Sequence, residues 1–130
     1  MQEPDNVFRG NETVLVVDDN KYLRSFLNEA LPMFGYSVIC AVDGMDGLNK
    51  FREHKDKIHI VLLDVVMPKL NGIELFKEIK QIKPNAKMLF MSGYNDILDR
   101  NILQDKMRYI SKPFEIKTLL KEMRDVLDNS

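Results

Sequence analysis

The stretch Ile58-His59-Ile60-Val61-Leu62-Leu63-Asp64, followed by Val65-Val66-Met67-Pro68, decides the reading of this chain. Its apolar run reads as a strand buried on both faces, the form strands take in parallel sheets. Asp64 closes the run, and open α/β sheets hold their ligands just beyond the carboxyl ends of the strands. Taken alone, an acid there is equally the first residue of a loop. A second apolar run, Thr13 to Val17, ends in Asp18-Asp19, and two further runs end near Ser92 and Lys112. Four strand ends carrying acid, acid, hydroxyl and amine point to a single site.

Between these strands the spacing of apolar residues predicts helices. Leu23, Phe26, Leu27, Ala30, Leu31 and Phe34 fall on one helical face. Pro32 should loosen the last turn of that helix, and Gly35 is suited to cap it. Tyr36 to Ala41 reads as the second strand. Asp43-Gly44 then opens a second helix with Met45, Leu48 and Phe51 inward. Asn71 stands three residues before Glu74, the spacing of a capping box, and Ile73, Phe76, Ile79 and Ile82 give the third helix an inner face that ends before Pro84. Lys87 to Met91 is the fourth strand. A weakly amphipathic segment with Ile97, Leu98, Ile102 and Leu103 follows as a fourth helix, poor in helix-forming residues. Met107 to Ser111 is the fifth strand, and Ile116, Leu119, Leu120, Met123, Val126 and Leu127 line the fifth helix. Strands alternating with helices in this way imply an α/β fold, a parallel sheet covered on both faces.

The chain of 130 residues suits one domain, and 45% hydrophobic with 30% charged residues is a globular composition. Residues 1–12 read as a flexible N-terminal segment or linker, and residues 13–128 as the domain. A formal net charge of −1 gives no global attraction to nucleic acid or anionic membrane. The single cysteine, Cys40, excludes an internal disulfide and reads as a small buried apolar residue. No apolar stretch approaches the length of a membrane span, and Met1 to Asn11 is too polar for a signal peptide, so the expected location is cytoplasmic. His54 and His59 lack ligand spacing to another His or Cys.

In order along the chain, Val14-Leu15-Val16-Val17-Asp18-Asp19, Leu62-Leu63-Asp64-Val65-Val66-Met67-Pro68, Met91-Ser92-Gly93-Tyr94 and Tyr109-Ile110-Ser111-Lys112-Pro113-Phe114 resemble the receiver domain of two-component response regulators. The resemblance runs from about Thr13 to Asp128. It implies a flavodoxin-like, doubly wound (βα)5 three-layer sandwich whose five-stranded parallel sheet has the order 2-1-3-4-5. It assigns Asp64 as phosphoacceptor, Asp18 and Asp19 as the acidic pair that holds Mg²⁺ (with Mn²⁺ as substitute), the backbone carbonyl of Val66 as a further ligand, Ser92 as the switch hydroxyl, Lys112 as the phosphate-facing lysine and Tyr109 as the aromatic switch. Val66 and Tyr94, each two residues beyond a site residue, are expected to tune the lifetime of the phosphoryl group.

Those residue types suit the chemistry. Phosphoryl transfer to a carboxylate needs an unprotonated oxygen in line with the leaving group, and neutralisation of charge on the phosphoryl oxygens. Mg²⁺ takes carboxylates, waters and substrate oxygens, with Asp19 expected in direct contact and Asp18 through water. Three converging carboxylates repel one another, so one should resist ionisation until a cation binds. The expected partners are a sensor histidine kinase or histidine phosphotransfer domain upstream, and downstream an effector or a second copy, reached through the face formed by the fourth helix, fifth strand and fifth helix.

Each site residue has a plainer reading: the three aspartates as loop acids or helix caps, Ser92 as a turn residue, Lys112 as a solvated amine, Tyr109 as core. Two alternatives of other kinds are an interaction module of the same fold that is not phosphorylated, and a Mg-dependent aspartyl-phosphate phosphohydrolase. The second is disfavoured because Val66 stands where the Asp-x-Asp pattern has its general acid. No Gly-x-x-x-x-Gly-Lys-Ser/Thr loop follows any strand, and no helix-turn-helix follows the fifth helix, so neither nucleotide switching nor direct DNA binding is expected. Two features depart from the family pattern: Asp105-Lys106-Met107 where a glycine commonly precedes the fifth strand, and Asn71 in place of an acid. The residues fit both a stand-alone regulator and the carboxyl-terminal receiver of a hybrid sensor kinase.

Overall fold

The computed structural model describes residues 8–93 and 107–129. Five parallel strands, β1 (Thr13–Val17), β2 (Ser37–Ala41), β3 (Ile58–Asp64), β4 (Met88–Ser92) and β5 (Tyr109–Ser111), form one sheet in the order β2-β1-β3-β4-β5. All four pairings are parallel, with Leu62 between Val16 and Leu89 in the central register. Helices α1 (Lys21–Ala30), α2 (Gly44–His54), α3 (Gly72–Ile82) and α4 (Ile116–Asp128) cover it. The expected order and the three-layer architecture are those found. The α4 helix is the last one expected from the sequence. The weak helix before it, Tyr94, and most of the departing Asp105-Lys106-Met107 turn lie outside the described residues.

Because side chains alternate along a strand, each sheet face feeds its own core. Leu15, Val17, Val61, Leu63 and Phe90 face Leu48 and Phe51 of α2 and Leu75 and Ile79 of α3. Val14, Val16, Ile60, Leu62, Leu89 and Met91 face Leu27 of α1 and Leu119, Leu120 and Met123 of α4. Burying each such side chain is worth roughly 1.5–3 kcal/mol, and the two faces together hold the helices that carry the loops above the sheet.

Local chemistry sets the helix ends. Asn71 and Glu74 form the expected capping box at the start of α3. Ahead of Pro32 α1 stops, the chain tightens into a 3₁₀ turn (Leu31–Phe34), and Gly35 follows with φ 98°. That conformation favours glycine, and a Cβ at Gly35 would stand 2.1 Å from the backbone oxygen of Gly10.

Several placements differ from the periodicity. Phe26 is 44% exposed, because α1 turns Leu27 to the sheet and leaves Phe26 at the flank of the inner stripe. Met45 is 43% exposed, since α2 uses Gly44, Gly47, Leu48 and Phe51 instead. Leu75, not predicted inward, is fully buried, while Ile73, Phe76 and Ile82 are partly buried around it. Cys40 is half-buried rather than buried because β2 is an edge strand, and that burial pushes its thiol pKa up. His59 has a structural role: its Nδ1 accepts a hydrogen bond from Thr13 N at 2.9 Å where the β1–β3 register shifts.

Of the segment expected to be flexible, residues 8–12 are held against the body. Gly10 N donates to Phe34 O, Ser37 N donates to Glu12 O, and Phe8 packs on the core shared with α1 and α4. Arg124 of α4 donates from both terminal nitrogens to the Glu12 carboxylate at 2.9 Å. It also bonds Asp128 and the Tyr36 hydroxyl. Burial opposes the ionised form of Glu12, but Arg124 together with the backbone N–H groups of Glu12 and Asn11 outweighs it, and the carboxyl lies below its usual pKa.

Candidate functional site

At the carboxyl ends of β1 and β3, oxygens of Asp18, Asp19 and Asp64 lie within 4.8 Å of one another. The backbone explains why. Val17 pairs with Leu63 in adjacent parallel strands, so the residues that follow them emerge side by side at the carboxyl end of the sheet. Asp18 N bonds Ala41 O of β2, fixing where β1 ends. Behind Asp64, the loop returns to pair Gly72 N with Val65 O, and a Cβ on Gly72 would sit 2.1 Å from the Asp64 carbonyl oxygen. Only a residue without a side chain lets α3 start this close to the end of β3.

The three acids differ in surroundings. Asp18 is fully buried, and its two oxygens accept from Asn20 N at 2.8 Å and Lys112 Nζ at 2.7 Å. Asp64 is buried, with Oδ1 at 3.4 Å from Lys112 Nζ. Asp19 is exposed. Burial, then the charge of Asp18, push the Asp64 pKa up to about 6, and Lys112 only partly offsets them. Asp64 is thus the acid that resists ionisation. Burial by itself would favour neutral Lys112, but the carboxylates of Asp18 and Asp64 more than compensate and raise its pKa.

Ser92 ends β4 fully buried, and its Oγ has no hydrogen-bond partner among the described residues. An unsatisfied buried hydroxyl costs about 1–3 kcal/mol, which makes it an acceptor-seeking donor beside the acids. Its carbonyl accepts from Lys112 N at 2.7 Å, so the β4 and β5 ends that carry hydroxyl and amine are tied together. Tyr109 stands two residues before Ser111 on the edge strand β5 and is partly exposed. Val66 projects from the loop after Asp64 with 60% of its surface exposed, between buried Val65 and Met67.

The structure therefore gathers Asp18, Asp19, Asp64 and Lys112 and sets Ser92 at the neighbouring strand end. Tyr109 and Val66 lie at the periphery, and Tyr94 is outside the described residues. The donor set is all hard oxygen, with one ammonium and one unsatisfied hydroxyl, which suits a small divalent cation beside a phosphoryl group. Sequence periodicity passed over two supports. Asn20 caps α1 by accepting from Tyr22 N and Leu23 N; its signal was an Asn just ahead of an apolar-periodic segment. Arg24 donates to the Asp18 backbone oxygen at 2.7 Å, and no spacing rule marks it.

Known proteins resemble this chain in sequence and fold. The family model for the response regulator receiver domain matches residues 14–124. The chemotaxis protein CheY of Treponema pallidum is 33% identical over 117 residues, 88% of this chain and 81% of that protein. The sensor kinase CckA of Brucella abortus is 36% identical over 121 residues, 92% of this chain, which spans 13% of the kinase's length. A receiver domain from Clostridium thermocellum superposes with a TM-score of 0.83 at 26% identity, covering 90% of this chain and 94% of that one. CheY from Borrelia burgdorferi, solved in a complex with CheX, BeF3 and Mg, superposes with a TM-score of 0.80 at 29% identity, covering 88% of each chain. On this evidence the chain belongs to the response regulator receiver domains of two-component systems.

Proposed function

We propose that this receiver domain takes a phosphoryl group from a phosphohistidine onto Asp64 in a Mg²⁺-dependent reaction and so switches a partner-binding face. The observation that carries the reading is the buried Ser92 Oγ, without a hydrogen-bond partner among the described residues, at the strand end next to an acidic cluster faced by Lys112. The oxygens of Asp18, Asp19 and Asp64, with the Val66 carbonyl, would hold the cation. Bound there, Mg²⁺ supplies neutralisation of the phosphoryl oxygens and of the mutually repelling acids.

The protein's own residues divide the remaining tasks. An Asp64 oxygen attacks phosphorus as the donor's N–P bond breaks, leaving an acyl phosphate on Asp64 and the electron pair on the histidine nitrogen. With its pKa near 6, Asp64 is mostly ionised at neutral pH and ready to act. Lys112, held by Asp18 at 2.7 Å, has its ammonium within reach of the charge that develops at Asp64. Ser92 Oγ gains in the phosphorylated state the acceptor it lacks among the described residues.

As Ser92 turns toward the phosphoryl group, Tyr109 rotates inward, shifting a two-state equilibrium on the face that includes β5 and α4. An effector or a second copy reads that face, and the domain acts in the cytoplasm; no helix among the described residues is long and apolar enough to cross a membrane. Val66 and Tyr94, each two residues beyond a site residue in sequence, set how readily water reaches the acyl phosphate. Incubation with acetyl phosphate and Mg²⁺, read by intact mass, tests the reaction. One added phosphoryl group that disappears when EDTA replaces Mg²⁺ supports it, and no uptake in either condition overturns it.

A further inference from the structure

Asp19 is the exposed member of the acidic cluster, and among the described residues no hydrogen bond to its carboxylate holds it in place. Its position must come from the backbone. The peptide that joins Asp18 to Asp19 is anchored at its carbonyl, where Arg24 Nη1 donates at 2.7 Å from the first turns of α1. Asp18 N and both carboxylate oxygens are bound to Ala41, Asn20 and Lys112, and the bond from Asn20 N closes the turn around Asp19, but the bond to the carbonyl of the Asp18–Asp19 peptide itself comes from Arg24. Arg24 is itself seated by its own backbone N–H on Asn20 O. A rigid helix thus reaches back to lock the turn from which Asp19 projects.

We propose that Arg24 is a positioning residue for the cation site: it orients the Asp18–Asp19 peptide so that the Asp19 carboxylate meets those of Asp18 and Asp64. The inference deepens the Mg²⁺-dependent reading above and rests on it. Groups that orient metal ligands change affinity on the order of 10–100-fold when removed. The sign of the effect separates positioning from simple electrostatics. A guanidinium beside a cation site repels the cation, so deleting its charge alone would tighten binding. Loss of the peptide lock would weaken it.

The test is Mg²⁺ binding by titration calorimetry on the wild-type chain, Arg24→Ala and Arg24→Lys, below the melting temperature of each. Arg24→Met, which keeps the aliphatic stem, is read in the same way should Arg24→Ala not fold. The expected result is a Kd raised on the order of tenfold in Arg24→Ala or Arg24→Met and largely restored in Arg24→Lys. Equal or tighter binding in the truncated variants, with the wild type binding Mg²⁺, would overturn the role of Arg24 alone. No Mg²⁺ binding by the wild type would remove the cation reading and this inference with it.

Discussion

The ammonium of Lys112 lies 3.4 Å from Asp64 Oδ1, yet the Asp64 pKa still stands at about 6. One cation, already engaged by Asp18, does not offset burial and two neighbouring acids. Ionised Asp64 therefore strains the folded state in the absence of a divalent ion.

The sign of the resulting pH dependence follows from linkage. The folded-state pKa is above the ordinary 3.8, so the folded form holds its proton more tightly than the unfolded form. The stabilisation from that proton is complete below pH 3.8 and is lost as pH rises through about 6. At about 1.36 kcal/mol per pH unit, the gap amounts to about 3 kcal/mol. Asp64→Asn, measured by urea unfolding without divalent ions, should be more stable than wild type by up to that amount at pH 7.5 and about equal near pH 4. A variant less stable at pH 7.5 would contradict the electrostatic account.

A ligand that binds only the folded state raises its stability by mass action. At a Mg²⁺ concentration one hundred times Kd the gain is about 2.7 kcal/mol, several degrees in Tm for a chain of this size. Asp19→Asn should shrink the rise in a thermal melt. A melt insensitive to millimolar Mg²⁺ would remove the cation from the site.

Arg124 joins residues 8–12 to α4 through Glu12, and also bonds Tyr36 and, within its own helix, Asp128. Hydrogen bonds to charged partners are worth about 1.5–3 kcal/mol, and Arg124→Ala also leaves Glu12 without its cation. The variant should lose about 2 kcal/mol in urea unfolding, and amides from Gly10 to Glu12 should exchange hydrogen faster. Unchanged exchange there would mean that Phe8 and the backbone bonds alone hold the segment.

Val66 offers only an apolar side chain beside Asp64. In Val66→Asn an amide could orient the attacking water, and a hydrogen bond of about 1 kcal/mol corresponds to about fivefold in rate. Dephosphorylation followed by loss of label should quicken on that scale. An unaltered rate would take Val66 out of lifetime control.

Much of this architecture was legible because strands and helices of a doubly wound sheet carry distinct periods, and because the apolar runs ended at Asp18, Asp64, Ser92 and Lys112. The capping box of Asn71 and Glu74 was readable for the same reason: it is local. What could not be read depends on tertiary approach. The face that α1 turns to the sheet centres on Leu27 and leaves Phe26 exposed, and the edge location of β2 leaves Cys40 half-covered. The clamp of Arg124 on Glu12 spans 112 residues of sequence, and the bond of Arg24 to a backbone oxygen leaves no trace in side-chain pattern. The differing burial of Asp18 and Asp19, adjacent in sequence, comes from the turn that Asn20 and Arg24 hold.

The central claim is that Asp64 is the acceptor, and phosphorylation of wild type and Asp64→Asn with acetyl phosphate and Mg²⁺, followed by intact-mass measurement and peptide mapping, tests it most directly. The account predicts one phosphoryl group on the wild-type peptide that contains Asp64 and none on the folded variant. Comparable labelling of Asp64→Asn, or label mapped to another residue of the wild type, would contradict it.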